Sequence, residues 1–140
     1  MRLDLEHLTK RFYAAAPVLN DITFSSETRS LAVIGSSGCG KSTFLRILGG
    51  LILPTSGVIC LEGTPIPQTE AELLQFRRRL GFVFQQGNLF RHMTVLENIT
   101  LPLVEVHGWE REAAKVRGLE LLERFGLADH AEKLPAELSG

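Results

Sequence analysis

The sequence is poor in cysteine, and its charges nearly cancel. Its 140 residues include 2 cysteines, 15 basic residues and 16 acidic residues. Cys39 and Cys60 lack the paired spacing of a zinc site, so we expect each to be a small space-filling residue. A net charge of -1 gives no electrostatic reason to expect a nucleic acid or an acidic membrane surface as the main partner.

Long apolar runs are also missing. The apolar runs of the sequence are far too short to cross a bilayer. Near the start, Asp4 and Glu6 interrupt the stretch that a secretory signal would need to be apolar, which predicts a cytoplasmic chain. The length is that of about one domain.

Short strands are predicted in the first half of the chain. Leu3 and Leu5 alternate with charged residues, and Ile22 and Phe24 with polar ones, which is typical of strands with one exposed face. The continuous apolar residues 31–34 predict a strand covered on both faces, as in a parallel sheet. Residues 58–61 and 81–84 predict further strands.

Helices are predicted from Lys41, over residues 69–79, and through most of the second half. In residues 110–125, apolar side chains recur every three positions, which predicts a buried face formed by Ala113, Val116, Leu119 and Leu122. Gly118 lies within that helix and is expected to cost about 1 kcal/mol relative to alanine. Strands that alternate with helices, followed by a helical segment, indicate an α/β core with a helical insertion.

The segment GSSGCGKS, residues 35–42, gives the clearest indication of a ligand-binding site in the sequence. It matches the pattern G-x-x-x-x-G-K-[ST] and lies between a predicted strand and a predicted helix. Glycine allows backbone N–H groups to surround a phosphate at the positive end of a helix. Lys41 would contact the β- and γ-phosphates, and the Ser42 hydroxyl would bind Mg²⁺. We call residues 35–42 the P-loop, and we expect it to bind a nucleoside triphosphate.

A second polar feature follows the predicted strand at residues 81–84. Gln85 stands at its end, where ligands of parallel sheets gather, and a neutral amide can hold a metal ion or a water. The residues after Gln85 form a more specific sequence pattern than this glutamine does alone.

Several segments, taken together, resemble the ATP-binding subunits of ATP-binding cassette (ABC) transporters. The segment FQQGNLFRHMTVLENI, residues 84–99, is similar to the family's Q-loop and its entry into the helical subdomain. The ending LPAELSG, residues 134–140, is similar to the start of the LSGGQ signature. The resemblance implies a P-loop NTPase core with a mostly parallel sheet and flanking helices, an N-terminal antiparallel β part and a helical insertion. It divides the chain into an ATP-binding core at 1–85 and a Q-loop and helical part at 86–140.

The resemblance also implies a set of site residues. Gln85 would contact Mg²⁺ or the attacking water and sense the transmembrane partner, and either Phe12 or Tyr13 would stack on adenine. Ser139 and Gly140 would contact the γ-phosphate of ATP held by a second subunit. ATP and Mg²⁺ would be bound by Gly35, Ser36, Ser37, Gly38, Cys39, Gly40, Lys41, Ser42 and Thr43.

In the transporter, the resemblance implies transmembrane permease subunits and a second ATP-binding subunit as partners. The subunit would lie on the cytoplasmic face of the membrane, touch the membrane only through those partners, and serve the import of polar amino acids. The chain ends before the family's Walker B strand and holds no adjacent Asp-Glu pair. We therefore expect it to bind ATP better than it cleaves it. Alternatives are a truncated binding module without turnover, an ATPase of lipid or lipoprotein export, and a soluble P-loop kinase.

Overall fold

The computed structural model describes residues 1–13, 16–85 and 87–138. It divides the chain into two units, Met1–Phe82 and Val83–Gly140. The first unit contains a β-sheet and two helices, and the second is helical. Among the described residues, no helix is long and apolar enough to cross a membrane.

Four strands form the sheet of the first unit, in the order β2-β1-β3-β4. They are β1 (Arg2–Lys10), β2 (Leu19–Glu27), β3 (Ser56–Leu61) and β4 (Thr64–Pro65). Every pair is antiparallel, with Leu3 opposite Ser26 on one side and Leu61 on the other. The predicted alternation in β1 places Leu3 and Leu5 in the core, both almost fully buried.

Helix α1 (Lys41–Leu48) begins within the P-loop and packs on this sheet. Phe44 and Ile47 join the apolar cluster of the strands, while Leu45 is exposed. The helix ends at two glycines, where Gly50 adopts a φ of 64° that favours glycine. The Leu51 N–H then donates to the Arg46 carbonyl at 2.8 Å and closes the helix.

Helix α2 (Glu70–Arg77) is tied to the end of α1 by one arginine. The Arg77 guanidinium donates to the Gly50 carbonyl at 2.9 Å and to both carboxylate oxygens of Glu70. This hydrogen bonding lowers the pKa of the Glu70 carboxyl below its usual value. Arg77 thus serves as a structural contact at the end of the helix predicted over residues 69–79.

Two apolar runs predicted as buried strands, residues 31–34 and 81–84, belong to no strand of the described chain. Ile34 is 91% exposed and Val83 is 95% exposed. A strand requires a hydrogen-bonded neighbour, and the backbone of residues 31–34 bonds to no described residue. The described sheet is consequently antiparallel throughout, without the parallel part that the sequence predicted.

The second unit is built on α3 (Val95–Glu105) and α4 (Arg111–Arg124), followed by short 3-10 turns at Ala128–His130 and Pro135–Glu137. A capping box starts α3, because Thr94 Oγ1 accepts from the Glu97 N–H and the Glu97 carboxylate accepts from the Thr94 N–H. The apolar cluster of this unit consists of Val95, Leu96, Leu122 and Ala131.

The buried face of α4 differs from the predicted one. Ala113, Val116 and Leu119 are exposed, and the buried positions are Ala114, Gly118 and Leu122, which are four residues apart. A Cβ at Gly118 would lie 2.7 Å from Leu96 Cδ1 and 3.0 Å from Thr100 Cγ2. The glycine therefore permits a close crossing of α3 and α4, which corrects the expectation that it only weakens the helix.

Gly118→Ala should lower the free energy of unfolding although alanine is the better helix former. Leu96 is only 6% exposed, so its methyl group has little room to move away from the new Cβ. We expect a net loss of about 1–3 kcal/mol, measured by urea unfolding. Ala113→Gly, at an exposed position of the same helix, is the matched control and should cost about 1 kcal/mol from propensity alone. A stabilised Gly118→Ala variant would contradict the close crossing.

Candidate nucleotide-binding site

The P-loop turns by means of two glycines with left-handed backbone conformations. Gly38 has a φ of 80° and Gly40 a φ of 95°, which residues with a Cβ rarely adopt. The whole loop is exposed up to Cys39, so its backbone is accessible to a ligand. The predicted loop between a run of apolar residues and a helix is thus present, although that run forms no strand.

Gly40 also lies against the start of β2. A Cβ at this position would stand 2.9 Å from the Val18 carbonyl oxygen and 3.0 Å from Leu19 Cδ2. Val18 in turn donates its N–H to the Lys10 carbonyl at 2.8 Å, which closes the turn between β1 and β2. The loop, the first helix and this turn therefore meet at one point.

Lys41 folds back over the P-loop. Its ammonium group donates to the carbonyl oxygens of Gly35 at 2.9 Å and Ser36 at 2.6 Å, and Nζ lies 3.8 Å from Cys39 Sγ. No carboxylate of the described chain pairs with Lys41. The positive charge therefore remains available to an anion at the loop.

The N-terminus of α1 is suited to an anion. Within the described residues no side chain caps it, and its first turn contains no acidic residue. Its N–H groups and the helix dipole both favour a negative group there. Ser42 is exposed and Thr43 half-buried, so the Ser42 hydroxyl is the more accessible metal ligand of the two.

The two aromatic candidates lie in the turn that Val18 closes. Phe12 is 41% exposed, and Lys10 Nζ lies 4.9 Å from the centroid of its ring. Lys10 is itself held by the Leu53 carbonyl at 2.6 Å. Tyr13 is fully exposed and has a φ of 56°. The structure thus restrains Phe12 more than Tyr13.

The remaining predicted site residues do not belong to the first unit. Gln85 belongs to the second unit, where it occupies an exposed turn. Ser139 and Gly140 lie outside the described residues. The first unit therefore brings together the P-loop, Lys41, Ser42, Thr43 and the turn with the aromatic residues.

Comparison with known proteins identifies the family. Residues 19–140 match the sequence model of the family described as ABC transporter. The chain belongs to the ABC transporter family. The probable amino-acid ABC transporter ATP-binding protein y4tH of Sinorhizobium fredii is 44% identical over 142 residues, which cover 94% of this chain and 55% of that protein.

Other relatives are named for different substrates. The glutamate/aspartate import ATP-binding protein GltL of Escherichia coli is 37% identical, over 99% of this chain and 57% of its own length. The methionine import ATP-binding protein MetN of Nocardia farcinica is 49% identical, over 88% of this chain and 37% of its own. The chain thus spans about half the length of several curated relatives, or less.

A solved structure supports the predicted fold class. A dimeric ATP-binding cassette in a post-hydrolysis state, bound to ADP and Pi, matches with a TM-score of 0.79 and 31% identity. The match covers 98% of this chain and 63% of that one. The α/β class of the ABC cassette is therefore confirmed, with the N-terminal antiparallel sheet as predicted.

One functional contact was not predicted from the sequence. The sequence indicated no packing role for Val18 or Leu19, yet both lie against Gly40. No local sequence pattern predicts the contact between Val18 and Gly40, which are 22 positions apart. The glycine before Lys41 was assigned to phosphate binding alone, whereas it also serves this packing.

Gly40→Ala should destabilise the chain more than Gly38→Ala. Both glycines have a positive φ, which costs alanine about 1–2 kcal/mol, but only Gly40 would also clash with a backbone oxygen. A Cβ at Gly38 meets nothing within 4 Å, so that variant isolates the conformational cost. Urea unfolding without nucleotide measures both. Equal losses of stability would contradict the packing role of Gly40.

Proposed function

We propose that this chain forms the ATP-binding part of the nucleotide-binding subunit of an ABC importer. The observation that carries the proposal is the uncapped N-terminus of α1 beside the Lys41 ammonium, whose partners among the described residues are two P-loop carbonyls and the Cys39 sulfur, all of them neutral. Phosphate oxygens accept stronger, charge-assisted hydrogen bonds than neutral carbonyls do. A triphosphate would therefore replace those carbonyls as the partner of Lys41.

The predicted site residues would divide the work of binding Mg²⁺–ATP. N–H groups of the P-loop would surround the phosphates, and Lys41 would bind the β- and γ-phosphates. The Ser42 hydroxyl would hold Mg²⁺, and Gln85, which belongs to the second unit, would contact Mg²⁺ or the attacking water. Mg²⁺ supplies the charge that stabilises phosphoryl transfer when it is bound.

In the complete protein, two such subunits would bind ATP between them and act on transmembrane permease subunits. Ser139 and Gly140 would belong to the signature that contacts the γ-phosphate held by the other subunit. The subunit would work on the cytoplasmic face of the membrane. We propose polar amino acids as the transported class, because relatives named for amino-acid and glutamate/aspartate transport match most of this chain.

A second candidate is ATP binding with little hydrolysis by this chain alone. The 140 residues contain no adjacent Asp-Glu pair of the kind that includes the family's catalytic base. Hydrolysis requires water, metal and charge to be positioned together. The turnover rate of the purified chain separates the two candidates.

Mg²⁺–ATP should raise the melting temperature of the chain through the P-loop. A ligand that binds only the folded state stabilises it by about 2.7 kcal/mol at a concentration 100 times its Kd. Lys41→Ala should abolish the rise. Lys115→Ala, which removes an exposed lysine of the second unit with no hydrogen bond in the described chain, should leave it intact. If the wild-type protein is folded and its melting temperature does not change when Mg²⁺–ATP is added, the proposal is wrong.

Phe12 should provide the ring that stacks on adenine. Lys10 and the turn closed by Val18 already restrain Phe12, so stacking on it costs less conformational entropy than stacking on the fully exposed Tyr13. We expect Phe12→Ala to raise the Kd for ATP about tenfold. Tyr13→Ala should change it less than about twofold. The reverse order, in a titration with a fluorescent ATP analogue, would assign the stacking to Tyr13.

A further inference from the structure

The turn that carries Phe12 is held by the segment between α1 and β3. The Thr55 hydroxyl accepts a hydrogen bond from the Arg11 N–H at 3.0 Å, and its oxygen lies 3.4 Å from the Arg11 carbonyl oxygen. The Thr55 N–H also donates to the Thr9 carbonyl at 2.9 Å. One residue therefore holds the backbone at two of the three positions that precede Phe12.

A second contact from the same segment acts on the aromatic ring. The Leu53 carbonyl accepts from Lys10 Nζ at 2.6 Å, and this Nζ lies 4.9 Å from the centroid of the Phe12 ring. The ammonium group covers one face of the ring, so a base can stack only on the other face. We call residues 53–55 the anchor segment.

Helix α1 links the anchor segment to the P-loop. It begins after Gly40, which lies against the Val18 carbonyl at the other end of the turn between β1 and β2. The end of the helix is closed by the Leu51 N–H, which donates to the Arg46 carbonyl at 2.8 Å shortly before the anchor segment. The turn that carries Phe12 is thus held at both ends by segments next to α1. One short helix therefore restrains the distance between the ring and the P-loop.

We propose that Thr55 is a positioning residue for the adenine of ATP. It fixes the backbone at Arg11, so that the Phe12 ring presents its open face to a base whose phosphates lie in the P-loop. A ring that is already in place costs less conformational entropy when the base stacks on it. The inference rests on the proposed function, because it takes ATP as the ligand and Phe12 as the stacking ring. Loss of the Thr55 hydroxyl should weaken recognition of the base and leave recognition of the phosphates intact.

Two ligands separate these parts in calorimetric titrations of the full chain. Mg²⁺–ATP has a base, whereas Mg²⁺–tripolyphosphate has three phosphates and no base. Thr55→Val removes the hydroxyl but keeps the branched shape and the N–H bond to Thr9. Water can satisfy the Arg11 N–H in this variant, because Arg11 and Thr55 are both exposed. We expect the Kd for Mg²⁺–ATP to rise about fivefold and that for Mg²⁺–tripolyphosphate to change less than about twofold.

Two further variants serve as controls. Thr55→Ser keeps a hydroxyl and should hold the Kd for Mg²⁺–ATP within about twofold of the wild-type value. Thr23→Val is the matched control, because the Thr23 hydroxyl also accepts from a backbone N–H of β1, that of His7 at 3.2 Å, but further from the turn. It should change neither Kd by more than about twofold. A merely structural role of Thr55 would instead raise both Kd values together.

A double-mutant cycle tests whether Thr55 acts through the ring. In a chain that already carries Phe12→Ala, adding Thr55→Val should change the Kd for Mg²⁺–ATP by less than about twofold. Independent effects would multiply, and the second substitution would then weaken binding as much as it does in the wild type.

The proposal is overturned if Thr55→Val binds Mg²⁺–ATP as tightly as the wild type. It is also overturned if both ligands are weakened equally, or if the effect of Thr55→Val persists without the Phe12 ring. Thr55→Ala removes the same hydroxyl and decides the question in the same way should the valine variant not fold. A wild-type chain that binds no Mg²⁺–ATP instead overturns the proposed function, which the same titration reports before any variant is made.

Discussion

The approach of Gly40 to the Val18 carbonyl is the contact on which the rest of the first unit depends. It brings together the turn between β1 and β2, the end of the P-loop and the start of α1. A backbone approach this close leaves no room for a Cβ, and the φ of 95° excludes most residues independently. Two separate constraints therefore act on one glycine, and both must be met before N–H groups can surround a phosphate.

The electrostatics of the P-loop follow from that geometry. Once α1 begins at Lys41, its positive end has no acidic residue in the first turn to neutralise it. The Lys41 ammonium adds a full charge at the same place, and the loop satisfies it with two carbonyls. Lys41 therefore has partners within the loop, yet these carbonyls are weaker acceptors than the oxygens of a phosphate.

Local patterns in the sequence predicted most of the secondary structure, and contacts distant in sequence account for the rest. The P-loop, the beginning of α1 at Lys41 and the strand around Leu3 and Leu5 follow from nearby residues. Residues 31–34 were predicted to form a strand because they are apolar. A strand also needs a hydrogen-bonded neighbouring strand, which an apolar sequence alone does not supply. In α4 the apolar residues recur at spacings that fit two faces, and only the crossing at Gly118 decides between them. The capping box before α3 follows the local pattern T-x-x-E, whereas the contacts of Asn98 depend on how residues 90–94 fold.

The two units hold their turns by different groups. In the P-loop, the backbone carbonyls of Gly35 and Ser36 accept from Lys41, so these contacts are compatible with many side chains at position 36. In the second unit, the Asn98 side chain accepts from the Phe90 N–H and donates to the Thr94 carbonyl from the same planar group. Aspartate lacks the donor, and glutamine places it one carbon further away. Contacts made by the backbone should therefore tolerate substitution, whereas those that hold residues 90–94 depend on a single amide.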